Sequence, residues 1–329
     1  MLRAVAAIAI LLFHCRHVCD YLPEPISVYL KNILSIGWVG VDIFFVISGY
    51  IVTKIYAESD ITTAQFLAKR MGRIYIGWWV VFGIFIIAML ITGQSLDKYN
   101  LLKSLLLVPQ KIREAPIGLV WTLHYEMAFY VLFSILIYSR WKNAVILIMG
   151  AAILYLYSFE PNAPKALGYL RYALSPYLFE FIAGYIIYTY FSKERFSVAI
   201  PTALLVVAAI VSYVFYGRTI LSGAYQLHKV ALFVIPCALL VMWAVSDNQK
   251  PRSVSGIAMV KIGDASYMLY LIHGALLVVL SGITHHYAAI TLIASIPTAL
   301  LLHRFAEKPL LILSRNYFAS SLASKAANL

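Results

Sequence analysis

The long apolar runs of this chain restrict it to one class of structure. Ten runs long enough to cross about 30 Å of hydrocarbon begin near residues 3, 36, 74, 117, 143, 174, 199, 229, 263 and 288. Charged residues make up only 12% of the 329 residues, whereas about 25% is usual in soluble domains. Because a lipid-exposed run must satisfy its own backbone hydrogen bonds, we predict an all-α membrane bundle of about ten transmembrane helices. We expect a single membrane domain over residues 1–329, without a separate soluble domain.

The basic residues are scattered over the short connections between these runs, and they give a net charge of +12. Since no basic patch lies on a soluble fold, this charge favours contact with anionic lipid headgroups over nucleic acid. With a cytoplasmic N-terminus, 16 of the 26 lysines and arginines lie on the cytoplasmic side, which agrees with the positive-inside rule. We therefore expect both termini in the cytoplasm.

Three cysteines, Cys15, Cys19 and Cys237, lack the spacing of a metal site. We expect buried thiols and no bound metal.

Arg3 and His14 lie near the two ends of the first apolar run. Their separation corresponds to about three turns, or roughly 16 Å, along one face of a helix. A cation at a membrane surface with an imidazole deep in the membrane is typical of a functional site. An interfacial arginine and a structural histidine bonded to a neighbouring helix explain the pair equally well.

The second run carries Asp42 near its start and Ser48 and Gly49 near its middle, within GVDIFFVISGY. A carboxylate in a first helical turn is also explained by the helix dipole, and glycine by close helix packing. If consecutive helices run in opposite directions, Asp42 and His14 share the external half of the membrane. They are then candidates for a pair.

Arg70 and Arg73, in KRMGR, stand at the entry to the third run. At positions i and i+3 they share a helix face, where two guanidinium forks can bind a phosphate. The positive-inside rule is a simpler explanation of each arginine alone. Because Arg3 lies at the same surface, the three arginines together predict a polyphosphate ligand on the cytoplasmic side.

Three more charged or titratable groups interrupt the later runs. Glu126, in WTLHYEMAFY, should be protonated or face a partner in a polar cavity, because an unpaired carboxylate in hydrocarbon is costly. A structural ion pair is the alternative. His273, in SYMLYLIH, is by itself more typical of a structural hydrogen bond than of a ligand. Glu307, in HRFAEKP, is expected to pair with Arg70 or Arg73, or to face water.

In combination, these segments resemble the membrane-bound acyltransferase-3 family, which O-acylates bacterial surface and exported carbohydrates. The resemblance is carried, in the family's order, by Arg3 and His14 with ten residues between them, GVDIFFVISGY, KRMGRIY, WTLHYEMAFY, SYMLYLIH and EKP. It covers nearly the whole chain, and WTLxYE followed by MxFY is most similar to exopolysaccharide-modifying members. Two positions depart from the family pattern: Ile76 replaces a frequent proline, and Lys69 replaces the first of two arginines.

The resemblance implies a membrane O-acyltransferase of the bacterial inner membrane. The donor would be acetyl-CoA or another acyl-CoA, and the acceptor a hydroxyl of a surface or exported polysaccharide or of its lipid-linked precursor. Polysaccharide-assembly proteins are candidate partners. Acetyl is the default acyl group; a succinyl group would need a further cation, for which Arg16 and Lys31 are candidates.

The resemblance also gives roles to the residues singled out above. His14 would act as a general base or would itself carry the acyl group, and the sequence leaves both open. The expected catalytic residues are His14, Arg3, Glu126, Asp42 and His273. The expected donor-binding residues are Arg3, Arg70, Arg73 and Ser48.

Two other classes of function remain open from the residues alone. Buried histidine and carboxylates also fit a proton-coupled transporter or flippase of a carbohydrate or anionic substrate. Such transporters often contain internal repeats with matching broken helices, and the sequence shows neither. A structural partner in a polysaccharide export complex would tolerate substitution of Arg3 and His14.

Overall fold

The computed structural model describes residues 1–59, 61–136, 139–159, 167–191, 197–217, 220, 226–246 and 253–314. Within these ranges every regular element is helical, so the predicted all-α class is confirmed. The α-helices are, in chain order, α1 (Leu2–His14), α2 (Ile26–Leu34), α3 (Val39–Glu58), α4 (Thr63–Ile91), α5 (Leu101–Leu105), α6 (Trp121–Leu136), α7 (Lys142–Phe159), α8 (Leu178–Ile186), α9 (Ala199–Tyr216), α10 (Gln226–Ser246), α11 (Val254–Asp264), α12 (Ser266–Ser281) and α13 (Tyr287–Leu302).

The number of membrane crossings agrees only approximately with the predicted ten. In the described part of the chain, seven helical segments are long and apolar enough to cross a membrane, and α11 with α12 forms an eighth that is bent by 71°. Two shorter apolar helices, Leu2–His14 and Leu178–Phe191, stand at the other two predicted positions. The thirteen residues of α1 cover about 20 Å, less than the thickness of the hydrocarbon layer.

Helix α4 begins eleven residues before the start at residue 74 that the apolar run indicates. A capping box fixes this start: the Thr62 N–H donates to Gln65 Oε1 at 3.0 Å, and the Gln65 N–H donates to Thr62 Oγ1 at 3.3 Å. The KRMGR segment therefore lies within a helix and does not lead into one. Arg70 and Arg73 are consequently held on a rigid element.

Helix α3 packs against α1, α8 and α10, and glycine makes one of these contacts very close. A Cβ on Gly49 would overlap the carbonyl of Phe181, and a Cβ on Gly184 would overlap the backbone of Val46 and Tyr50. Small residues allow helix backbones to approach in this way. The close packing brings the polar side chains of α3 against those of its neighbours.

The bend between α11 and α12 falls at Ala265. Helix α1 contacts both halves of this broken pair. The bend places Ser266, the first residue of α12, beside the start of α1, where the Arg3 Nε–H donates to Ser266 Oγ at 3.1 Å. One end of α1 is thereby fixed against α12.

Candidate active site

The three predicted arginines converge on one cavity of about 120 Å³, here named the arginine cavity. Arg3 reaches it from α1, and Arg70 and Arg73 reach it from α4. The Arg3 side chain is held by Ser266. Three guanidinium groups at one cavity form a concentrated positive charge that suits a polyanionic ligand.

Arg73 and Arg70 differ in whether a carboxylate pairs with the guanidinium group. Arg73 Nη1 lies 3.2 Å from Oε1 of the fully buried Glu307, which is one of the alternatives that the sequence leaves open. The other oxygen of Glu307 lies 2.6 Å from His303 Nδ1. Arg70 stacks over the Tyr130 ring at 5.6 Å, and its buried Nη2 has no hydrogen-bond partner among the described residues. Arg70 therefore keeps a free donor beside the cavity.

Glu126 also lines the arginine cavity. Its Oε1 accepts a hydrogen bond from Ser48 Oγ at 3.1 Å and a short one from the Tyr130 hydroxyl. The predicted polar surroundings of Glu126 are thus present. Its hydrogen-bond partners are Ser48 and Tyr130.

His14 lines a second and larger cavity of about 350 Å³, here named the histidine cavity. Its Nδ1 lies 2.9 Å from the carbonyl oxygen of Ile10. A carbonyl oxygen only accepts hydrogen bonds, so Nδ1 carries the proton. In the neutral ring, Nε2 then keeps its lone pair, as a proton acceptor or nucleophile requires.

His273 stands beside His14, with ring centroids 5.2 Å apart. Its Nδ1 lies 2.8 Å from the carbonyl oxygen of Leu269, which gives this ring the same tautomer. Its side chain is fully buried, and Nε2 has no hydrogen-bond partner in the described part of the structure. The structure thus brings together two of the predicted catalytic residues.

Asp42 is held by a partner that the sequence does not predict. Lys229 Nζ from α10 lies 3.1 Å from Asp42 Oδ1, and the Glu180 carboxyl of α8 lies beside Asp42. All three side chains are buried. Asp42 and His14, which the sequence offers as candidates for a pair, therefore have different partners. The sequence analysis missed Lys229 and Glu180. Like Glu126, each is a charged residue within an apolar run, and this signal could have identified them.

The arginine and histidine cavities lie on two sides of one wall. Val41 and Tyr270 line both of them. The Tyr270 hydroxyl is fixed by Thr122 Oγ1 at 2.9 Å and by the carbonyl oxygen of Leu119 at 2.9 Å. The two cavities are therefore neighbours that share Val41 and Tyr270.

The remaining predicted residues lie outside the two cavities. Lys31 forms an ion pair with Asp20, and the Arg16 guanidinium donates to the Phe13 carbonyl at 2.6 Å. All three cysteines are free and buried, as predicted. Among the described residues, no group of three or more histidine, cysteine and carboxylate side chains is arranged to hold a metal ion.

Comparison with known proteins identifies one protein family and several relatives of this chain. A family model described as an acyltransferase domain matches residues 1–304. The chain is 30% identical over 254 residues to the exopolysaccharide production protein ExoZ of Rhizobium meliloti (strain 1021), covering 73% of this chain and 76% of that protein.

Two further relatives match shorter parts. Nodulation protein 10 of Rhizobium leguminosarum bv. viciae is 30% identical over 179 residues, which is 47% of this chain and 48% of that protein. An O-acetyl transferase of Shigella phage Sf6 is 41% identical over 73 residues, which is 22% of this chain and 20% of that protein. No solved structure matches the chain. The family match and the apolar helices together show that the chain belongs to the acyltransferase-3 family and is a multi-pass membrane acyltransferase.

Proposed function

We propose that this chain is an O-acetyltransferase of the bacterial inner membrane. It transfers an acetyl group from acetyl-CoA to a hydroxyl of an exported polysaccharide or of its lipid-linked precursor, within one membrane domain. The observation that carries the proposal is the position of His14, in a cavity that shares a wall with the cavity of the three arginines. The names of two relatives, an exopolysaccharide production protein and an O-acetyl transferase, support this substrate class.

The arginine cavity supports a CoA donor. Arg3, Arg70 and Arg73 offer charge-assisted hydrogen bonds to phosphate oxygens, and the free Nη2 of Arg70 needs such an acceptor. We place both termini in the cytoplasm, which puts Arg3, two residues from the N-terminus, near the side where acetyl-CoA is available. An extended pantetheine arm is comparable to the roughly 16 Å that separate Arg3 from His14 along α1.

In the proposed reaction His14 is the general base. Its Nε2 removes the proton from the acceptor hydroxyl as that oxygen attacks the thioester carbonyl. The Ile10 carbonyl holds the opposite side of the ring through Nδ1–H. The imidazolium then gives its proton to the departing thiolate, which leaves CoA as a free thiol. In this scheme His273, whose ring centroid lies 5.2 Å from that of His14, stabilises the cation formed on His14 through its free Nε2.

The direct test is the acyl content of the surface polysaccharide, measured by proton NMR. A gene-deletion strain is complemented with wild type, His14→Ala or Arg3→Ala at matched membrane levels. We expect one defined acetyl ester to be lost in the deletion strain and to return only with the wild type. Full ester content with His14→Ala would refute the catalytic role. An unacylated polymer retained inside the deletion strain would indicate transport instead.

A further inference from the structure

The wall of the histidine cavity is rich in aromatic rings. Trp121 and Tyr125 have ring centroids 5.8 Å apart, and each also contacts Tyr177, at 5.8 Å and 5.1 Å. All three side chains line the cavity. Aromatic faces pack well against the C–H faces of sugar rings, and a mostly apolar pocket with a few fixed polar groups is the usual form of a small-ligand site.

The polar groups of the cavity wall are fixed in place by partners behind them. Gln226 Nε2 donates to Ser175 Oγ at 3.0 Å, which leaves the amide oxygen as an acceptor. Lys229 is held by Asp42 and lies over the Tyr177 ring at 5.0 Å. Gln226 and Lys229 both line the cavity, so they present an oriented acceptor and an oriented donor to a ligand.

The charge of this wall is already balanced. Lys229 and His14 are the basic side chains among the described residues that line the cavity. The Lys229 ammonium is paired with Asp42 and has the Glu180 carboxyl nearby. An anionic ligand would compete with two carboxyl groups for one ammonium, whereas a hydroxyl needs only a hydrogen bond from it.

We infer that the histidine cavity binds one uncharged sugar ring of the acceptor. Trp121 and Tyr125 pack on the ring face, Gln226 and Lys229 bind its hydroxyls, and the reacting hydroxyl lies at His14. The volume of about 350 Å³ is at the lower end of the usual range of about 300–1,000 Å³ for ligand pockets, which suits a single ring. This inference rests on the proposed function and adds the place and charge class of the acceptor.

The first experiment compares two probes of one shape and different charge. Membrane vesicles containing the full chain and their native acceptor receive radiolabelled acetyl-CoA with octyl β-D-glucopyranoside or with the corresponding octyl glucuronide. We expect the neutral glycoside, below its micellar concentration, to accept acetyl or to inhibit transfer to the native acceptor, and the glucuronide to do neither. Equal effects of both probes, or no effect of either, would overturn the inference. No acetyl transfer by wild-type vesicles would instead refute the proposed function.

The second experiment locates the site with variants in the same vesicles. Trp121→Leu and Gln226→Leu are each expected to raise the KM for the native acceptor about tenfold, the scale of one lost ring contact or hydrogen bond. The KM for acetyl-CoA should not change. Trp121→Phe keeps an aromatic ring and should raise the acceptor KM less than Trp121→Leu does. Trp141→Leu, at an exposed tryptophan beside the start of α7, is the control. If Trp121→Leu lowers the membrane level of the protein, Gln226→Leu decides. An unchanged acceptor KM would overturn the inference.

Discussion

The imidazole rings of His14 and His273 lie with centroids 5.2 Å apart and planes inclined by 50°. Each ring is anchored in the same way, through Nδ1 to the carbonyl four residues earlier on its own helix. Helices α1 and α12 thus present two imidazoles of one tautomer to each other. A proton gained at His14 would therefore lie near a second nitrogen base.

Replacement of His14 by alanine is expected to lower acetyl transfer about 10²- to 10⁴-fold, the range that general bases contribute. The measurement is the initial rate of acetyl transfer in membrane vesicles. Binding of desulfo-CoA should be unchanged, because His14 does not line the arginine cavity. His286→Ala, at an exposed histidine bonded to Tyr21, is the matched control and should keep the wild-type rate.

His273 is expected to act through His14, as a positioning residue. His273→Gln removes the second imidazole and should reduce the rate about 10- to 100-fold, the scale of one lost hydrogen bond to a charged group. It should also move the pH–rate profile, because the cation formed on His14 loses its neighbour. The check is the full profile of wild type and variant. A rate lowered by one constant factor at every pH would indicate that His273 only fills space.

Arg70 is expected to bind the donor through its free Nη2. Arg70→Gln should raise the KM for acetyl-CoA about 10- to 100-fold, since a hydrogen bond to a charged group contributes about 1.5–3 kcal/mol. Arg70→Lys keeps the charge without the fork and should have an intermediate effect. Lys69→Gln, one residue earlier and exposed, removes the same charge from the same surface. An equal rise of the KM for acetyl-CoA in Lys69→Gln and Arg70→Gln would show that only the charge of this surface affects donor binding.

The parts of the site that follow from one helix or one short motif could be predicted from the sequence. The separation of Arg3 and His14 is set by helix geometry alone, and Glu307 pairs with Arg73, one of the two arginines that the sequence offers as partners. The partner of Asp42 depends on which helices pack against α3, and periodicity within a segment does not contain that information. The start of α4 was missed because its first turns are polar, although Thr62 and Gln65 form a readable capping box.

The buried cluster of Asp42, Glu180 and Lys229 is expected to matter for stability as a unit. Lys229→Met leaves two carboxyl groups buried without their cation, and breaking a buried ion pair costs about 3–5 kcal/mol. The double variant Asp42→Asn with Lys229→Met should be less destabilised than Lys229→Met alone. The check is the thermal stability of each protein in detergent.

The surface pair of Lys31 with Asp20 supplies the control for that cycle. Because exposed pairs contribute about 0–1 kcal/mol, Lys31→Met should melt near the wild-type temperature. If the losses of thermal stability caused by Asp42→Asn and Lys229→Met simply add, the two side chains are not coupled. The ion pair between Asp42 and Lys229 would then be wrong.

The close contact between α3 and α8 at Gly184 is expected to hold α3, and with it Ser48, in position at the candidate active site. Gly184→Ala places a Cβ against the carbonyl of Val46 and the backbone nitrogen of Tyr50, neither of which can move without displacing α3. Overpacking of this kind costs about 1–3 kcal/mol. Since α3 also carries Ser48, whose hydroxyl bonds Glu126, the displacement should lower acetyl transfer as well as thermal stability.

Gly83 in α4 is the matched control, because a Cβ there meets nothing within 4 Å. Gly83→Ala should melt at or above the wild-type temperature, since alanine is favoured over glycine in a helix by about 1 kcal/mol, and its transfer rate should not change. The check is the melting temperature in detergent and the transfer rate in vesicles for both variants. If Gly184→Ala is as stable and as active as Gly83→Ala, there is room for a Cβ between α3 and α8. The close approach of these two helices at Gly184 would then be wrong.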